Sequence, residues 1–344
     1  MLVNSPGPHD RVRVTEPFAL LKSWGIDIRV HQAPFHLPTT IRPHSLVIWQ
    51  RPLPDSEQQQ IDVVRWIRDQ GCILITEWDD HIDLFPKQIQ KQLRATNGAA
   101  LKYCHLIQTS SIKLQVKLKT FNMNSVVLEN STGLIPQLNL NKHEREYNPR
   151  IFIGNLNRHK EHKELIQGLN AWCRRDQSLR LVVIQDRALA MALPDTQIEF
   201  HTLSAYEKYR SLLRGCHMAL LPLSKSDANE CKTPIKWIEA AAESVLCIGG
   251  PELYSSSFSA NERGILVEEG HSIALVAEHI WEDRETRCRM VSTAHEWVRK
   301  HHNLTLACLH RLWMYKHLWR LRAKIDKGLL LRHPQAATTK RFEE

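Results

Sequence analysis

Two groups of residues have types and spacing suited to chemistry on a polar, anionic substrate. In the first, Lys232 and Thr233 stand immediately before Pro234, where a helical pattern begins. A helix N-terminus carries free N–H groups and the positive end of the helix dipole, so a cation and a hydroxyl placed there favour phosphate. The second group is Asp79, Asp80 and His81, within Glu77-Trp78-Asp79-Asp80-His81 at the end of an apolar run. Adjacent carboxylates beside an imidazole suit a general base, an acceptor clamp or a cation site. No second cluster of ligands accompanies them, so no metal is expected. Arg51 follows another apolar run, and Gly154-Asn155-Leu156-Asn157-Arg158-His159-Lys160 sets one glycine before basic residues that suit phosphate. The plainer readings are a capped helix for the first group and solvated loops for the others.

Those residues need scaffolds at strand and helix ends. Met218 to Leu223 reads as a strand buried on both faces, and Ser224 to Lys232 as a polar loop. Thr233 then reads as an N-cap with Pro234 at the first helical position. Ile235, Ile238, Ala242 and Val245 form the buried side of the helix, with Lys236, Glu239 and Glu243 as its charged edge. Further strands are expected at 1–3, 26–30, 45–49, 72–76, 103–109 and 125–128. A second set is expected at 150–153, 179–185, 198–202, 247–250 and 264–268. Helical patterns alternate with them, which is the signature of doubly wound parallel α/β sheets. In such sheets ligands bind beyond the carboxyl ends of the strands, where Arg51 and Asp79 to His81 fall.

With 344 residues the chain suits two domains of about 150 residues each. The polar stretch 137–149 reads as the linker. The expected division is 1–142, 150–298 and a basic helical tail at 299–344. Hydrophobic content of 42% with 24% charged residues argues for globular structure rather than disorder. No apolar run has the length of a membrane span, and the N-terminus lacks the apolar core of a signal peptide, so a cytoplasmic chain is expected. The eight cysteines contain no C-x-x-C pair and read as small buried residues. A net charge of +9 points to an acidic partner. Lys and Arg crowd the segment from Arg299 to Arg332, interleaved with Leu309, Leu312, Trp313, Leu318, Trp319 and Leu321, and Asp326 is its only acid. This composition suits either an interfacial helix on anionic lipid or a packing helix with a basic outer face. Nucleic acid is disfavoured, since no nucleic-acid module surrounds the charge.

The chain resembles a two-lobed GT-B glycosyltransferase of the large retaining family 4 class, in the subgroup of bacterial polysaccharide and O-antigen (lipopolysaccharide) gene clusters. The resemblance rests most on Asn229-x-x-Lys232-Thr233-x-x-Lys236-x-x-Glu239-Ala240-Ala241. Arg13-Val14-Thr15, Gln50-Arg51-Pro52, Glu77-Trp78-Asp79-Asp80, Ile153-Gly154-Asn155-Leu156-Asn157-Arg158 and Leu220-Leu221-Pro222-Leu223 support it. It implies two Rossmann-like domains facing a central cleft, with C-terminal helices. A nucleoside-diphosphate-sugar would lie on the second domain, a saccharide or lipid-linked acceptor on the first, and no cofactor would be needed. By resemblance, Glu239 takes the ribose hydroxyls, and Arg158 with Lys160 or Lys232 takes the diphosphate. His201 and Thr202 face the base. Gly154 and Asn155 lie by the donor phosphates, and Asn229 and Thr233, with Lys236 in the same motif, line the donor side of the loop. Asp79, Asp80 and His81 face the reacting sugar, with Arg13 and Arg51 at the cleft rim. The chain departs from the pattern in three places. Cys231 stands where many members have a second glutamate, the first loop lacks the expected glycine pair, and Cys216-His217 replaces Ala-Asp. These departures keep open a catalytically inactive scaffold that binds nucleotide-sugar or a partner protein.

Overall fold

Strands buried on both faces belong inside a parallel sheet, and Ile73–Glu77 and Met218–Leu221 are buried at every position. The computed structural model describes residues 1–3, 10–32, 41–144, 148–154, 162–202 and 205–338. Among them two six-stranded parallel sheets form, with helices between successive strands. The first contains β1 (Leu2–Val3), β2 (His31–Gln32), β3 (Leu46–Gln50), β4 (Ile73–Glu77), β5 (Leu106–Thr109) and β6 (Ser125–Val127), ordered β2-β1-β3-β4-β5-β6. The second contains β7 (Arg150–Ile153), β8 (Arg180–Ile184), β9 (Ile198–His201), β10 (Met218–Leu221), β11 (Leu246–Gly249) and β12 (Ile265–Leu266), ordered β12-β11-β10-β7-β8-β9. This is the expected α/β, doubly wound architecture. Chain direction across each sheet reverses beside its first long-range crossover, between β1 and β3 and between β7 and β10. At such points the loops diverge and leave a crevice.

Local chemistry fixes the helices that flank these strands. Ser56 Oγ accepts from Gln59 N at 3.1 Å and starts the helix Glu57–Asp69, whose Ile61, Val64 and Ile67 turn inward. Gly71, at φ +67°, closes it. One expected strand is displaced: the pairing segment is His31–Gln32 rather than 26–30. Leu2 and Val3 pair with it as an edge strand, which needs no apolar run.

Two compact units account for the chain. The first comprises Met1–Asn130, Cys231–Thr233 and Leu304–Glu344, and the second Ser131–Glu230 and Pro234–Asn303. The described part of the segment read from sequence as a linker therefore packs into the second unit. Lys142 Nζ donates to the carbonyls of Cys216 and Glu243 at 2.8 and 3.0 Å, and buried His143 meets Ser244 O at 2.9 Å. Likewise the C-terminal helices, Leu304–Arg320 and Arg322–Arg332, belong to the first unit instead of forming a separate tail. Asp326 seals them down: Arg68 reaches its two oxygens at 2.5 and 3.0 Å, and His105 Nε2 lies 3.2 Å from Oδ1. The eight cysteines are free thiols, seven of them buried.

Candidate functional site

The first unit builds its site where β3, β4 and β5 end. β3 and β4 run in register with Gln50 beside Glu77, and Arg51 N continues the ladder to Glu77 O at 2.9 Å. Arg51 itself takes a left-handed conformation, φ +46°, which turns its side chain out of the strand direction. Its guanidinium then meets Asp79 in a two-pronged bond, Nε to Oδ1 at 2.6 Å and Nη2 to Oδ2 at 2.8 Å, with Asp80 Oδ2 at 3.4 Å. The Phe85 ring lies 5.1 Å from the guanidinium carbon, a cation–π distance. Burial works against the Arg51 charge, but Asp79 and Asp80 outweigh it and raise its pKa. Asp79 is fixed from behind by Ser110, whose hydroxyl donates to Asp79 O at 2.8 Å.

His81 stands at the start of a single 3-10 turn, Ile82–Leu84, and its Nδ1 accepts from Asp83 N at 3.3 Å. A neutral imidazole accepting at Nδ1 carries its hydrogen on Nε2, so His81 offers a donor rather than a base from that atom.

Arg13 is not at a rim. It lies in a π-helical turn, Arg11–Thr15, is 2% exposed, and donates to Glu77 Oε1 at 2.7 Å, to Leu128 O and to Asn130 Oδ1 at 3.1 Å. The physical reason is Glu77, a carboxylate at the end of β4 with no exposure, which needs a buried counter-charge. Gln108 Nε2 donates to the other Glu77 oxygen at 3.1 Å, and Tyr315 donates to Gln108 Oε1 at 2.8 Å. Asn130 passes the chain on to Thr233, donating to its Oγ1 at 2.8 Å. Thr233 and its neighbours Cys231 and Lys232 are part of this unit, and the Cys231 carbonyl accepts from Ser111 Oγ at 2.7 Å. Thr233 thus does not cap the helix after it. Pro234 occupies the cap position, no side chain bonds there, and the helix runs Ile235–Ala242.

In the second unit that helix is buried nearly all round, so the expected charged edge is internal. Glu239 is 5% exposed and accepts two phenol hydroxyls, Tyr206 to Oε1 at 2.8 Å and Tyr209 to Oε2 at 2.9 Å. Burial raises the Glu239 pKa against the pull of Tyr206, Arg210 and Tyr209. Burial likewise raises both tyrosines, helped by the Glu239 charge. Arg210 ties Tyr206 to Glu243, donating to them at 3.1 and 2.9 Å, and Arg214 closes on Glu243 at 2.6 Å. Lys236 donates to Gly154 O at 2.8 Å, and Gly154 N donates to Leu220 O at 2.8 Å, which pins the end of β7 to β10 at the switch point. A Cβ on Gly154 would lie 2.6 Å from Leu221 Cδ2 and 3.2 Å from Leu220 O, so any larger residue would push the buried leucine aside. Asn155, Arg158 and Lys160, expected to hold phosphate after Gly154, lie outside the described residues.

Asn229 sits in the short helix Asp227–Glu230 and donates to Ser224 O at 2.8 Å, which folds the loop back on itself. His201 ends β9, where its Nε2 has no hydrogen-bond partner among the described residues, and exposed Thr202 follows it. A cavity of about 230 Å³ opens beyond β10, β11 and β12, lined by Ser224, Lys225, Gly250, Glu252, Glu268 and His271 among others.

Tyr206, Tyr209 and Arg210 stand in no motif of the sequence, and the structure adds them to the site. Matching helical steps are their one signal: Tyr206, Arg210 and Arg214 recur every fourth residue on one helix, as do Glu239 on another and Glu243 at its C-terminal cap.

No protein-family model and no curated protein matches this sequence. Solved structures do share the fold. Anabaena Alr3699/HepE in complex with UDP-glucose aligns at a TM-score of 0.63 and 13% identity, over 92% of this chain and 99% of that one. Sucrose-phosphate synthase from Thermosynechococcus elongatus aligns at 0.60 and 14% identity, over 80% of this chain and 74% of that one. A point mutant of S. aureus TarM in complex with UDP aligns at 0.55 and 10% identity, over 73% of this chain and 54% of that one, so the chain spans about half of that protein. The shared architecture is GT-B: two parallel α/β sheets with C-terminal helices.

Proposed function

We propose that the protein is a glycosyltransferase that moves a sugar, hexosyl in type, from a nucleoside-diphosphate-sugar to a saccharide or lipid-linked saccharide. The reading places it in the cytoplasm, in the synthesis of cell-surface polysaccharide. One observation carries it: in a fold shared with a UDP-glucose complex, Gly154, Lys236 and Glu239 cluster at and behind the switch point of the second sheet. Glu239 serves the ribose. Each carboxylate oxygen accepts one tyrosine hydroxyl and keeps a second acceptor site, one for each ribose hydroxyl. Arg158, with Lys160 or Lys232, supplies positive charge to the diphosphate, which must be stabilised as the glycosidic bond breaks. His201 and Thr202 face the base, and Asn229 and Thr233 the sugar.

On the first unit, Arg51, Asp80 and the Nε2–H of His81 orient the acceptor. Asp79, gripped on both oxygens by Arg51, is poorly placed to take a proton. That supports the retaining route, in which the leaving phosphate accepts the acceptor's proton. A thermal-shift panel of UDP-, GDP-, CMP- and dTDP-sugars tests the donor assignment, because a bound ligand raises the unfolding temperature by mass action. One sugar class should stabilise the protein and Glu239→Ala should abolish that shift. An unchanged shift in the variant would remove Glu239 from the site.

A second reading is a scaffold that binds nucleotide-sugar without turnover. Cys231 favours it: the position is a 1% exposed thiol packed in the first unit's core, with no carboxylate. Stabilisation by a donor sugar with neither hydrolysis nor transfer, lipid acceptor included, selects the scaffold.

A further inference from the structure

The C-terminal helix Leu304–Arg320 has two contrasting faces. Its inner face belongs to the first unit's core, with Cys308, Met314, Tyr315 and Leu318 buried. Along its outer face Leu306, Leu309, Trp313, Lys316 and Arg320 recur at alternating steps of three and four, which places them on one stripe roughly 20 Å long. Leu306 is 52% exposed, Leu309 51% and Trp313 63%. The Trp313 indole stacks on His317, centroids 5.5 Å apart and nearly parallel, and on His310 at 6.2 Å. Stacking at both edges holds the indole on the outer face.

Charge along the stripe is graded. The apolar residues occupy the first half of the helix and the cations the second, and exposed Lys324 and Lys327 follow on the next helix. The one acid from Leu304 to Arg332 is Asp326, and it turns inward to Arg68 and His105. On these two helices the outer face therefore carries positive charge, and their one carboxylate points away from it.

We propose that this stripe docks the protein on an anionic lipid surface, with Leu306, Leu309 and Trp313 entering the headgroup boundary and Lys316 and Arg320 meeting lipid phosphates. Two facts favour lipid over other occupants. A second copy would bring an equally basic face against this one, and like charge opposes it. Nucleic acid is held by aromatic stacking along a basic groove, whereas two of the three apolar residues here are leucines, which suit acyl chains. The inference is independent of the transfer reaction.

The test is flotation of the full chain with phosphatidylcholine vesicles and with vesicles of equal parts phosphatidylcholine and phosphatidylglycerol. The protein should float with the mixed vesicles only. Leu309→Glu with Trp313→Glu should weaken partitioning more than tenfold, from lost apolar burial. Lys316→Glu with Arg320→Glu should cost roughly fivefold per cation, in line with the attraction of each basic residue to an anionic surface. All four positions are exposed, so circular dichroism and unfolding temperature should match the wild type. Wild-type protein that stays unbound, or variants that float as well as it does, would overturn the proposal. So would self-association by sedimentation, or oligonucleotide binding, that is lost in these variants while vesicles capture nothing.

Discussion

Arg51 holds Asp79 by both carboxylate oxygens, at 2.6 and 2.8 Å, from a backbone conformation with φ at +46°. A planar fork makes that grip, and a lysine ammonium cannot reproduce it. Arg51→Lys should therefore lower kcat/KM for donor turnover by ten- to a hundredfold, about 1.4–2.7 kcal/mol of transition-state stabilisation. Asp79→Asn should fall in the same range, and the acid limb of its kcat/KM pH profile should match the wild type. Loss of that limb in the Asn variant would identify Asp79 as the base and favour inversion.

Tyr209 bears on Glu239 differently. Removing its hydroxyl leaves a buried carboxylate oxygen short of a donor, which costs about 1–3 kcal/mol. Tyr209→Phe should lower stability by that amount in urea denaturation. Calorimetric titration of the stabilising nucleotide should show weaker binding by about tenfold for Glu239→Gln, since a neutral amide offers one acceptor where the carboxylate offers two. A Tyr209→Phe protein as stable as wild type would show that the carboxylate is satisfied without it.

Most strands are legible because they are short apolar runs bounded by polar or glycine residues, so the strands of both sheets other than β2 follow from the sequence. β2 escapes that rule because His31–Gln32 pairs through its backbone alone and leaves no apolar trace. What the sequence hides is pairing at a distance. Arg13 looks like any loop arginine until Glu77, 64 residues on, is seen buried beside it, and Glu239 looks exposed until Tyr206, 33 residues before it, covers it. Thr233-Pro234 has the local form of a cap, yet Asn130 claims the threonine hydroxyl. Local rules give the elements and their order, whereas the partners of buried charges depend on which strand ends become neighbours.

Two buried histidines make the second unit acid-sensitive. Burial lowers His143 to about 3 and His217 to about 4, with Lys142 and Arg287 adding to the effect from the elements around them. His217 Nδ1 accepts from Arg150 N at 3.0 Å, so the neutral form is built into the start of β7. Both folded values lie below the ordinary histidine value of about 6.5. The unfolded chain therefore binds more protons below that pH, and stability is fully present above it and lost as pH falls towards 4 and then 3. The window for His217 alone is worth on the order of 3 kcal/mol. Urea midpoints of the second unit should fall steadily as pH drops below 6. His217→Asn, which keeps an acceptor but cannot titrate, should reduce that slope, and an unchanged slope would assign the acid sensitivity to other groups.

Asp326 tests how firmly the C-terminal helices belong to the first unit. Its carboxylate lies within 3.0 Å of two Arg68 nitrogens, and the Arg68 guanidinium, 3% exposed as a residue, also donates to Ala336 O at 2.7 Å. Burial pushes the Asp326 pKa up, but His105 and Arg68 more than offset it and leave it below the ordinary value. Asp326→Ala would leave a guanidinium and an imidazole facing each other in the interior, at a cost of about 3–5 kcal/mol. Unfolding of the first unit should move to lower temperature by several degrees at neutral pH. Because the folded carboxyl titrates below its unfolded value, the wild type should lose this contribution only as pH drops below about 4, through the lowered folded value. Removal of every residue after Asn303 should do more, since it strips Cys308, Met314, Tyr315 and Leu318 from the core and exposes Gln108 behind Glu77. A truncated chain whose first unit unfolds with wild-type stability would show that these helices are carried by that unit without supporting it.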